Sequence, residues 1–271
     1  MALAGFIGCG NMGGVLAAAA SVHAHTGGRE ILAADRHPEK TERLREYGVI
    51  PATVREIAEE CRFIILGVKP QAMEAAAAEI RGVLEWRKPP FTVVSMAAGI
   101  SAATVSEMLS GIPDGCPVIR IMPNTPAAVG EGIILYCANG AVKQSEESAF
   151  LDLLSAAGSI VKIEESRMDA ASAVTGCGPA FVCLFLEAMI DGAIQCGLPR
   201  AQAEQFVLKT ALGTAKLSLE TGQDLALLRN AVCSPAGSTI EGVAALEKGA
   251  VRFAAMEAVR AAYERTKELG K

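Results

Sequence analysis

Short apolar runs alternate with helical patterns over roughly the first 160 residues. Each apolar run has six or seven residues, as expected for a buried strand rather than for a complete helix. The predicted strands are LAGFIG (3–8), EILAAD (30–35), RFIILGV (62–68), FTVVSM (91–96) and PVIRIM (117–122). Helices are predicted from Asn11 to about His23, over 38–48 with a stop at Gly48, and over 101–111. This alternation predicts an α/β fold whose parallel sheet is covered on both faces.

The pattern changes after Glu164. Just before it, GIILYCANG (132–140) and GSIVKIE (158–164) are predicted as two last strands around a helix at 144–157, and their orientation is left open. Only helical spacing follows, at 179–196, 199–220, 224–232 and 239–269 with a break near Gly249. We therefore predict an α/β domain over residues 1–164 and an all-helical domain over residues 165–271, without a flexible linker.

Composition and charge exclude several classes of protein. The 271 residues are 51% hydrophobic but only 4% aromatic, so small side chains must supply much of the core. The formal net charge of −5 argues against a nucleic-acid partner, which would favour basic patches. No run of 18 uninterrupted apolar residues occurs, and no leader pattern precedes the first strand. We expect a soluble, cytoplasmic protein with no membrane partner.

The titratable residues do not form a catalytic or metal-binding motif. The eight cysteines are scattered without a CxxC pair, and no histidine follows His37. We therefore expect free thiols in a reducing compartment, with no metal site. A Ser–His–Asp set cannot be assembled either. An enzyme with this sequence would depend on a cofactor for its difficult chemical step.

A glycine-rich turn follows the first predicted strand and opens a helix. It reads GFIGCGNMGG, with Gly8, Gly10 and Gly13 in the GxGxxG spacing. Gly8 allows the tight turn, Gly10 leaves room for a pyrophosphate, and Gly13 lets the helix approach the strand. Because the turn stands in a strand–turn–helix context, it predicts a Rossmann-type, doubly wound dinucleotide-binding domain. The cofactor-binding residues predicted here are Ile7, Gly8, Cys9, Gly10, Asn11, Met12 and Gly13.

The end of the second strand favours two different coenzymes. Asp35 lies about twenty residues after the glycines, where an acidic side chain usually accepts a hydrogen bond from the ribose 2′-OH of NADH. The next residue, Arg36, could instead bind the 2′-phosphate of NADPH and stack on the adenine. NADPH is the expected coenzyme, and NADH remains the alternative.

Three more loops are predicted at the carboxyl ends of strands, where ligands bind in open α/β sheets. They are GVKP (67–70), SMAAGI (95–100) and RIMPNTP (120–126). Their predicted cofactor contacts are Val68, Lys69, Pro70, Met96, Ala97, Ala98 and Asn124. Packing alone would also explain the small residues of the second loop.

A run of hydroxyls and glycine, VCSPAGSTIEG (232–242), lies between two predicted helices. The spacing Ser238-x-x-Glu241 is that of a capping box, which would explain Ser238 as the start of a helix. The amides and hydroxyls at a helix N-terminus can also bind an anion with partial charges only. The residues alone leave both interpretations open.

Taken together, the motifs resemble those of the pyrroline-5-carboxylate reductases, the final enzymes of proline synthesis. The resemblance covers essentially the whole chain: GFIGCGNMG, VKP (68–70), SMAAGIS (95–101), R-x-MPNTP (120–126), MDAASAVTGCGPAF (168–181), GLPR (197–200) and VCSPAGSTIEGVAALE (232–247). It implies an oxidoreductase that uses NADPH, or NADH, to reduce the C=N bond of L-1-pyrroline-5-carboxylate to L-proline. It also implies homodimers with interleaved helical domains, which could assemble into a ring of dimers.

The resemblance further implies a substrate site. Ser234, Gly237, Ser238 and Thr239 would hold the substrate carboxylate, and Thr175 would also bind substrate. Thr239 is the candidate proton donor, with ordered water as the alternative. The sequence departs from the family pattern at Ala236, where a glycine is usual, and at Thr53 and Val54, where an asparagine often stands.

Two other functions match part of this pattern. A β-hydroxyacid dehydrogenase shares the two-domain plan but needs a lysine soon after a glycine-rich segment, and GCGPAFVCLFLEAM (176–189) contains none. A non-catalytic nucleotide-binding protein would need only the first domain, which leaves the 234–239 turn unexplained.

Overall fold

A computed structural model describes residues 2–26, 28, 30–88, 90–113 and 115–269. In these ranges the first part of the chain forms one eight-stranded sheet in the order β3-β2-β1-β4-β5-β6-β7-β8. The strands are β1 (Ala4–Ile7), β2 (Ile31–Ala34), β3 (Ile50–Pro51), β4 (Phe63–Leu66), β5 (Thr92–Ser95), β6 (Val118–Met122), β7 (Gly132–Ala138) and β8 (Gly158–Lys162). β1 to β6 are mutually parallel, so their carboxyl ends share one edge of the sheet.

Helices cover both faces of this sheet. Those of the first part are α1 (Asn11–Thr26), α2 (Pro38–Arg43), α3 (Val54–Glu60), α4 (Met73–Leu84), α5 (Ala102–Met108) and α6 (Gln144–Leu153). Alternate side chains of each strand enter opposite cores: Phe6 packs with α1 and α6, and Ile7 packs with α3, α4 and α5. The predicted doubly wound α/β fold is confirmed.

The predicted strands of the first part all form within their stated ranges. The orientation of the last two strands, which the sequence leaves open, is set by their pairing: β7 runs antiparallel to β6, and β8 runs parallel to β7. The helix predicted over 144–157 ends at Leu153 and is followed by a 3-10 turn, Ser155–Ala157. The elements β3, α3 and α4 were not predicted. β3 has only two residues, too short for a period-two pattern to be visible.

Residues after Glu164 are helical, as predicted. They form α7 (Met168–Thr175), α8 (Gly178–Gln195), α9 (Arg200–Thr221), α10 (Leu225–Ala231), α11 (Ser238–Lys248) and α12 (Val251–Leu269). The short helix α7 was not predicted. The chain divides into two compact units, one from the described residues of Met1–Gly176 and Tyr263–Lys271, the other from Cys177–Ala262. By packing, α7 therefore belongs to the unit that contains the sheet.

The second unit leaves much apolar surface uncovered. Its buried core is small and centres on Ile190, Ala203 and Val207, where α8 meets α9. Large apolar side chains of the same helices are exposed, among them Leu184 at 70% and Leu212 at 55% of their full area. Among the described residues, one helical stretch, Glu165–Gln195, is long and apolar enough to cross a membrane by length and composition alone.

The β1–α1 turn depends on a close approach of three glycines. Gly8 has φ of +93°, a conformation in which an L side chain is strained. A Cβ on Gly13 or on Gly67 would overlap the carbonyl oxygen of Gly8. Gly67 directly follows β4, and its N–H donates to Ile7 O at 2.8 Å. The sequence motif identifies Gly8 and Gly13, whereas the requirement for Gly67 was not predicted.

This packing predicts that Gly67→Ala destabilises the fold by roughly 1–3 kcal/mol, because the added methyl group meets backbone that cannot move independently. The matched control is Gly82→Ala on α4, where a Cβ meets no atom within 4 Å. There alanine should raise the free energy of unfolding by about 0.5–1 kcal/mol, since glycine is costly within a helix. Thermal and urea unfolding of both variants would measure the contrast, and equal stabilities would contradict the role given to Gly67.

Candidate active site

The predicted cofactor residues come from strands that end at the same edge of the sheet. Parallel pairing joins β2, β1, β4, β5 and β6 in that order, so the loops that follow these strands are neighbours. The structure thus brings to one edge the segments 7–13, 35–36, 68–70, 96–98 and 124. Ligand sites of open parallel sheets are found at this edge.

The glycine turn leaves open space where a pyrophosphate is expected. A Cβ on Gly10 would meet no atom within 4 Å, and α1 begins at the next residue, Asn11. A phosphate in that space would face the positive end of a 16-residue helix. The residues present therefore fit the diphosphate of a dinucleotide.

Several predicted cofactor residues can offer only their backbone. Ile7, Cys9 and Ala97 are at most 5% exposed and pack into the two cores. Burial, followed by the negative charge of Asp35, raises the pKa of the Cys9 thiol to about 12. Cys9 is therefore a neutral thiol at physiological pH, although it lies inside the nucleotide-binding motif.

Asp35 is already engaged within the protein. Its Oδ2 accepts the N–H of Cys9 at 2.7 Å, and its Oδ1 accepts the N–H of His37 at 2.9 Å and the ammonium of Lys40 at 3.3 Å. Burial acts against ionisation, but the N–H groups of His37 and Cys9 and the nearby Lys40 hold the pKa of Asp35 below its usual value. The carboxylate that could have accepted the ribose 2′-OH of NADH instead ties the β2–α2 loop to the glycine turn.

The remaining predicted contacts at this edge differ in exposure. Arg36, Lys69 and Ala98 are exposed, whereas Met96 is half-buried. Lys69 precedes the 3-10 helix Pro70–Ala72, whose first residue fixes the backbone at that point.

Asn124 is buried, and both ends of its amide form hydrogen bonds within the fold. Its Nδ2 donates to Thr175 O at 3.1 Å, and its Oδ1 accepts the N–H of Ile133 at 2.9 Å. The side chain thus joins the end of α7 to the start of β7. Thr175, a predicted substrate residue, has a buried hydroxyl with no hydrogen-bond partner among the described atoms.

An ion cluster that the sequence did not reveal holds the other end of α7. Arg120 on β6 is only 5% exposed in its side chain and contacts Glu165 at 3.1 Å and Asp169 at 3.4 Å. Glu165 Oε1 also accepts the N–H of Ala102 at 2.7 Å, at the start of α5. The arginine within PVIRIM was a visible signal, because a charge inside an otherwise apolar strand needs a partner.

The 234–239 turn lies in the other compact unit. The N–H of Gly237 donates to Ser234 O at 3.1 Å, and a Cβ on Gly237 would overlap Ser234 Oγ. Ala236 has φ of +58°, the left-handed conformation that a glycine would adopt without strain. The unusual alanine is therefore accommodated at a local cost.

The capping-box interpretation of Ser238 is wrong. Helix α11 begins at Ser238, and the capping position is Gly237, which has no side chain to accept a hydrogen bond. Because no side chain caps this helix, the first amides of α11 keep their hydrogen-bonding capacity for another acceptor. The capping box therefore does not account for Ser238.

Two family models match the chain. Residues 165–269 match the model described as pyrroline-5-carboxylate reductase dimerisation, and residues 4–99 match the model described as NADP oxidoreductase, coenzyme F420-dependent. The first covers α7 to α12, and the second covers the glycine turn and the loops after β2, β4 and β5.

A relative of nearly the same length gives the family. Pyrroline-5-carboxylate reductase from Synechocystis sp. is 41% identical over 244 residues, which is 89% of this chain and 88% of the relative. The chain belongs to the pyrroline-5-carboxylate reductase family. Two solved structures agree with this assignment, each at 29% identity and covering 100% of this chain. The pyrroline-5-carboxylate reductase of Coxiella burnetii has a TM-score of 0.88 over 99% of its chain, and the pyrroline carboxylate reductase of Plasmodium falciparum, solved with NADP bound, has 0.86 over 98%.

The Arg120 cluster yields a stability prediction. Arg120→Met should lower the free energy of unfolding by roughly 1–3 kcal/mol, because it leaves Glu165 and Asp169 without their buried cation. Each carboxylate side chain is 35% exposed, and solvent limits the loss. Arg55→Met removes an exposed pair with Glu59 and should leave stability nearly unchanged. Urea unfolding would compare them, and equal losses would contradict a special role for Arg120.

The strain at Ala236 yields a prediction of increased stability, in contrast to the loss expected for Arg120→Met. Ala236→Gly should raise the free energy of unfolding by up to about 1 kcal/mol, because glycine adopts the observed φ without strain. Ala245→Gly, inside α11, should instead lower it by about 0.5–1 kcal/mol. Differential scanning calorimetry on both variants checks the contrast; a fall in stability for Ala236→Gly would show that the turn is not strained.

Proposed function

We propose that this protein is a pyrroline-5-carboxylate reductase, which uses NADPH to reduce the C=N bond of L-1-pyrroline-5-carboxylate and forms L-proline, the last step of proline biosynthesis. The observation that carries the proposal is the 41% identity to a reductase of that name over 89% of the chain. The open glycine turn at the start of α1 supports it, because it fits a dinucleotide. NADH is a second coenzyme that the same turn would accept.

The first part of the chain binds and orients the coenzyme in this proposal. A bound nicotinamide would supply the hydride. The amides after Gly8 would hold the diphosphate, and the loops after β4 and β5 (68–70 and 96–98) would border the nicotinamide half. Holding the two reactants in a fixed orientation supplies several kcal/mol of the rate enhancement.

We assign the substrate carboxylate to the turn formed by Ser234, Gly237, Ser238 and Thr239. The uncapped amides of α11 support this assignment, since a helix N-terminus binds a carboxylate through partial charges. A lysine or arginine in the same place would put a full cation beside the protonated imine and disfavour the reactive form. We assign Thr175 to the same substrate, and the Thr239 hydroxyl to proton donation, in place of an ordered water molecule.

The second part of the chain forms the homodimer in this proposal. The match of residues 165–269 to a dimerisation model supports it, as does the apolar surface of α8 and α9. We assign the exposed apolar side chains of Glu165–Gln195 to that interface rather than to a membrane, and we propose a cytoplasmic enzyme without a membrane or nucleic-acid partner. A ring of dimers and the division of the chain into domains 1–164 and 165–271 belong to the same proposal.

The alternative reactions have less support. A β-hydroxyacid dehydrogenase would need a lysine on the helix that follows the glycine-rich segment, and α8 contains none. A non-catalytic nucleotide-binding protein would have no use for uncapped amides and hydroxyls in the second unit.

The activity is tested by following NADPH and NADH oxidation with pyrroline-5-carboxylate, and in parallel the reduction of NADP⁺ and NAD⁺ with β-hydroxyacids. The protein should turn over the imine and prefer NADPH. Absence of turnover with the imine would overturn the proposal, and turnover of a hydroxyacid alone would favour the dehydrogenase.

The role of Thr239 gives a specific prediction. Thr239→Ala should lower kcat/KM for the imine by about 10²–10⁴-fold if its hydroxyl donates the proton. The Kd for NADPH should stay near the wild-type value, because the residue contacts only substrate. Ser145→Ala, an exposed hydroxyl on α6, is the control and should change neither quantity. Unchanged kcat/KM in Thr239→Ala would assign the proton to water, and weaker NADPH binding would place Thr239 at the coenzyme.

A further inference from the structure

A cationic groove begins at the glycine turn and extends along α1 beyond the space expected for the diphosphate. It has a volume of about 490 Å³ and follows the outer face of α1. Its lining includes Cys9, Gly10 and Asn11 at one end and Lys40 and Arg43 from α2 at the side. Among the described residues that line the groove, these two cations are the charged ones, and no carboxylate is among them.

The neighbouring acidic residues of this helix are already paired elsewhere. Glu42 contacts Arg45 at 2.6 Å, and Glu39 lies 3.6 Å from His37. The guanidinium of Arg43 forms no ion pair with any residue in the described part of the chain. Its charge is therefore available to an anion in the groove.

Asp35 fixes both the turn and one of the cations. Its carboxylate binds the N–H of Cys9 and the ammonium of Lys40 at the same time, at 2.7 and 3.3 Å. Its side chain is only 8% exposed, whereas that of Lys40 is 38% exposed. The ammonium of Lys40 therefore contacts Asp35 and is also accessible from the groove.

Because of these contacts, the acidic residue at the end of the second strand does not indicate a preference for NADH. Such a residue selects NADH when its carboxylate is free to bind the ribose 2′-OH. Here three internal donors occupy it, and a lysine offsets its charge. A phosphate group on the ribose brings a charge near −2, which needs cations and not a carboxylate.

We propose that Lys40 and Arg43 form the subsite for the 2′-phosphate of NADPH, and that Asp35 is a positioning residue that holds Lys40 beside the glycine turn. The subsite deepens the proposed function and rests on it, because it supplies the coenzyme preference of that reaction. It assigns the discrimination to α2 in addition to the exposed Arg36. A simpler role exists for both cations, since they lie in the last turn of α2, where cations stabilise a helix.

Nucleotide fragments separate the two roles without any catalytic step. Isothermal titration calorimetry of the full-length protein with 2′,5′-ADP and with 5′-AMP isolates the contribution of the 2′-phosphate. The wild-type protein should bind 2′,5′-ADP more tightly. Lys40→Gln should weaken 2′,5′-ADP binding about tenfold, as expected for one charge-assisted hydrogen bond, and leave 5′-AMP binding unchanged.

Three matched variants complete the series. Arg43→Gln should weaken 2′,5′-ADP binding in the same selective way, and Lys40→Arg should retain most of the affinity. Lys88→Gln, an exposed lysine outside the groove, should bind both nucleotides as the wild type does. The selective loss should shrink at high salt, where the phosphate charge is screened.

The outcomes distinguish failure of the subsite from failure of the proposed function. Equal or absent effects of Lys40→Gln on the two nucleotides would overturn the subsite and leave the reductase assignment intact. A wild-type protein that reduces the imine but prefers 5′-AMP to 2′,5′-ADP would likewise overturn the subsite and leave the reductase assignment intact. A wild-type protein that binds neither fragment and neither coenzyme would overturn both.

The role of Asp35 is tested by a double-mutant cycle. If Asp35 positions Lys40, then Lys40→Gln should cost about tenfold in 2′,5′-ADP affinity in the wild type but threefold or less in an Asp35→Asn background. Asp35→Asn should also lower the Tm of the nucleotide-free protein. At least one group that donates a hydrogen bond to Asp35 would then face the amide NH₂ of asparagine, which cannot accept it. Additive effects on affinity, or weaker 5′-AMP binding with an unchanged Tm, would show that Asp35 is a ribose ligand instead.

Discussion

The carbonyl oxygen of Gly8 is the point on which the nucleotide-binding edge of this protein depends. The α carbons of Gly13 and Gly67 approach it so closely that a methyl group on either would overlap it. This contact fixes the turn after β1 against both α1 and the end of β4. With the turn fixed, Gly10 faces open space and α1 starts at the next residue, which creates room for a phosphate at a helix N-terminus.

Buried polar contacts extend this order to the neighbouring loops. Asp35 ties the glycine turn to α2, and Arg120 with Glu165 ties β6 to the starts of α5 and α7. Asn124 holds the end of α7 against the start of β7. Each group is buried or half-buried, so a lost partner would leave a costly unpaired charge or amide. Side-chain contacts thereby connect these loops to the elements around them.

The helical unit is organised on a different principle. It buries few side chains of its own and presents large apolar residues on α8 and α9 to solvent, as a single chain. Large apolar side chains exposed on two helices are typical of a protein interface, in agreement with the dimerisation family that this region matches. Within the same unit, the strained Ala236 and the uncapped start of α11 form a turn that local stability alone does not explain.

The sequence by itself determined seven of the eight strands, the helical character of the second half and the dinucleotide turn. These features rest on local causes: apolar runs of strand length, helical periodicity, and glycines at a spacing that only a tight strand–helix turn requires. It also determined that a helix begins near Ser238, although it suggested Ser238 as the capping residue, and that position is Gly237.

Only the tertiary structure decided which polar groups find each other. Asp35 meets Cys9 from 26 positions away, and Arg120 meets Glu165 from 45 positions away, so no short pattern could pair them. The same holds for Gly67, whose need for glycine comes from the backbone of Gly8 in the turn after the adjacent strand β1. Patterns along the chain report local backbone preference, whereas the partner of a buried group is set by strand order and by which loops the sheet brings to one edge.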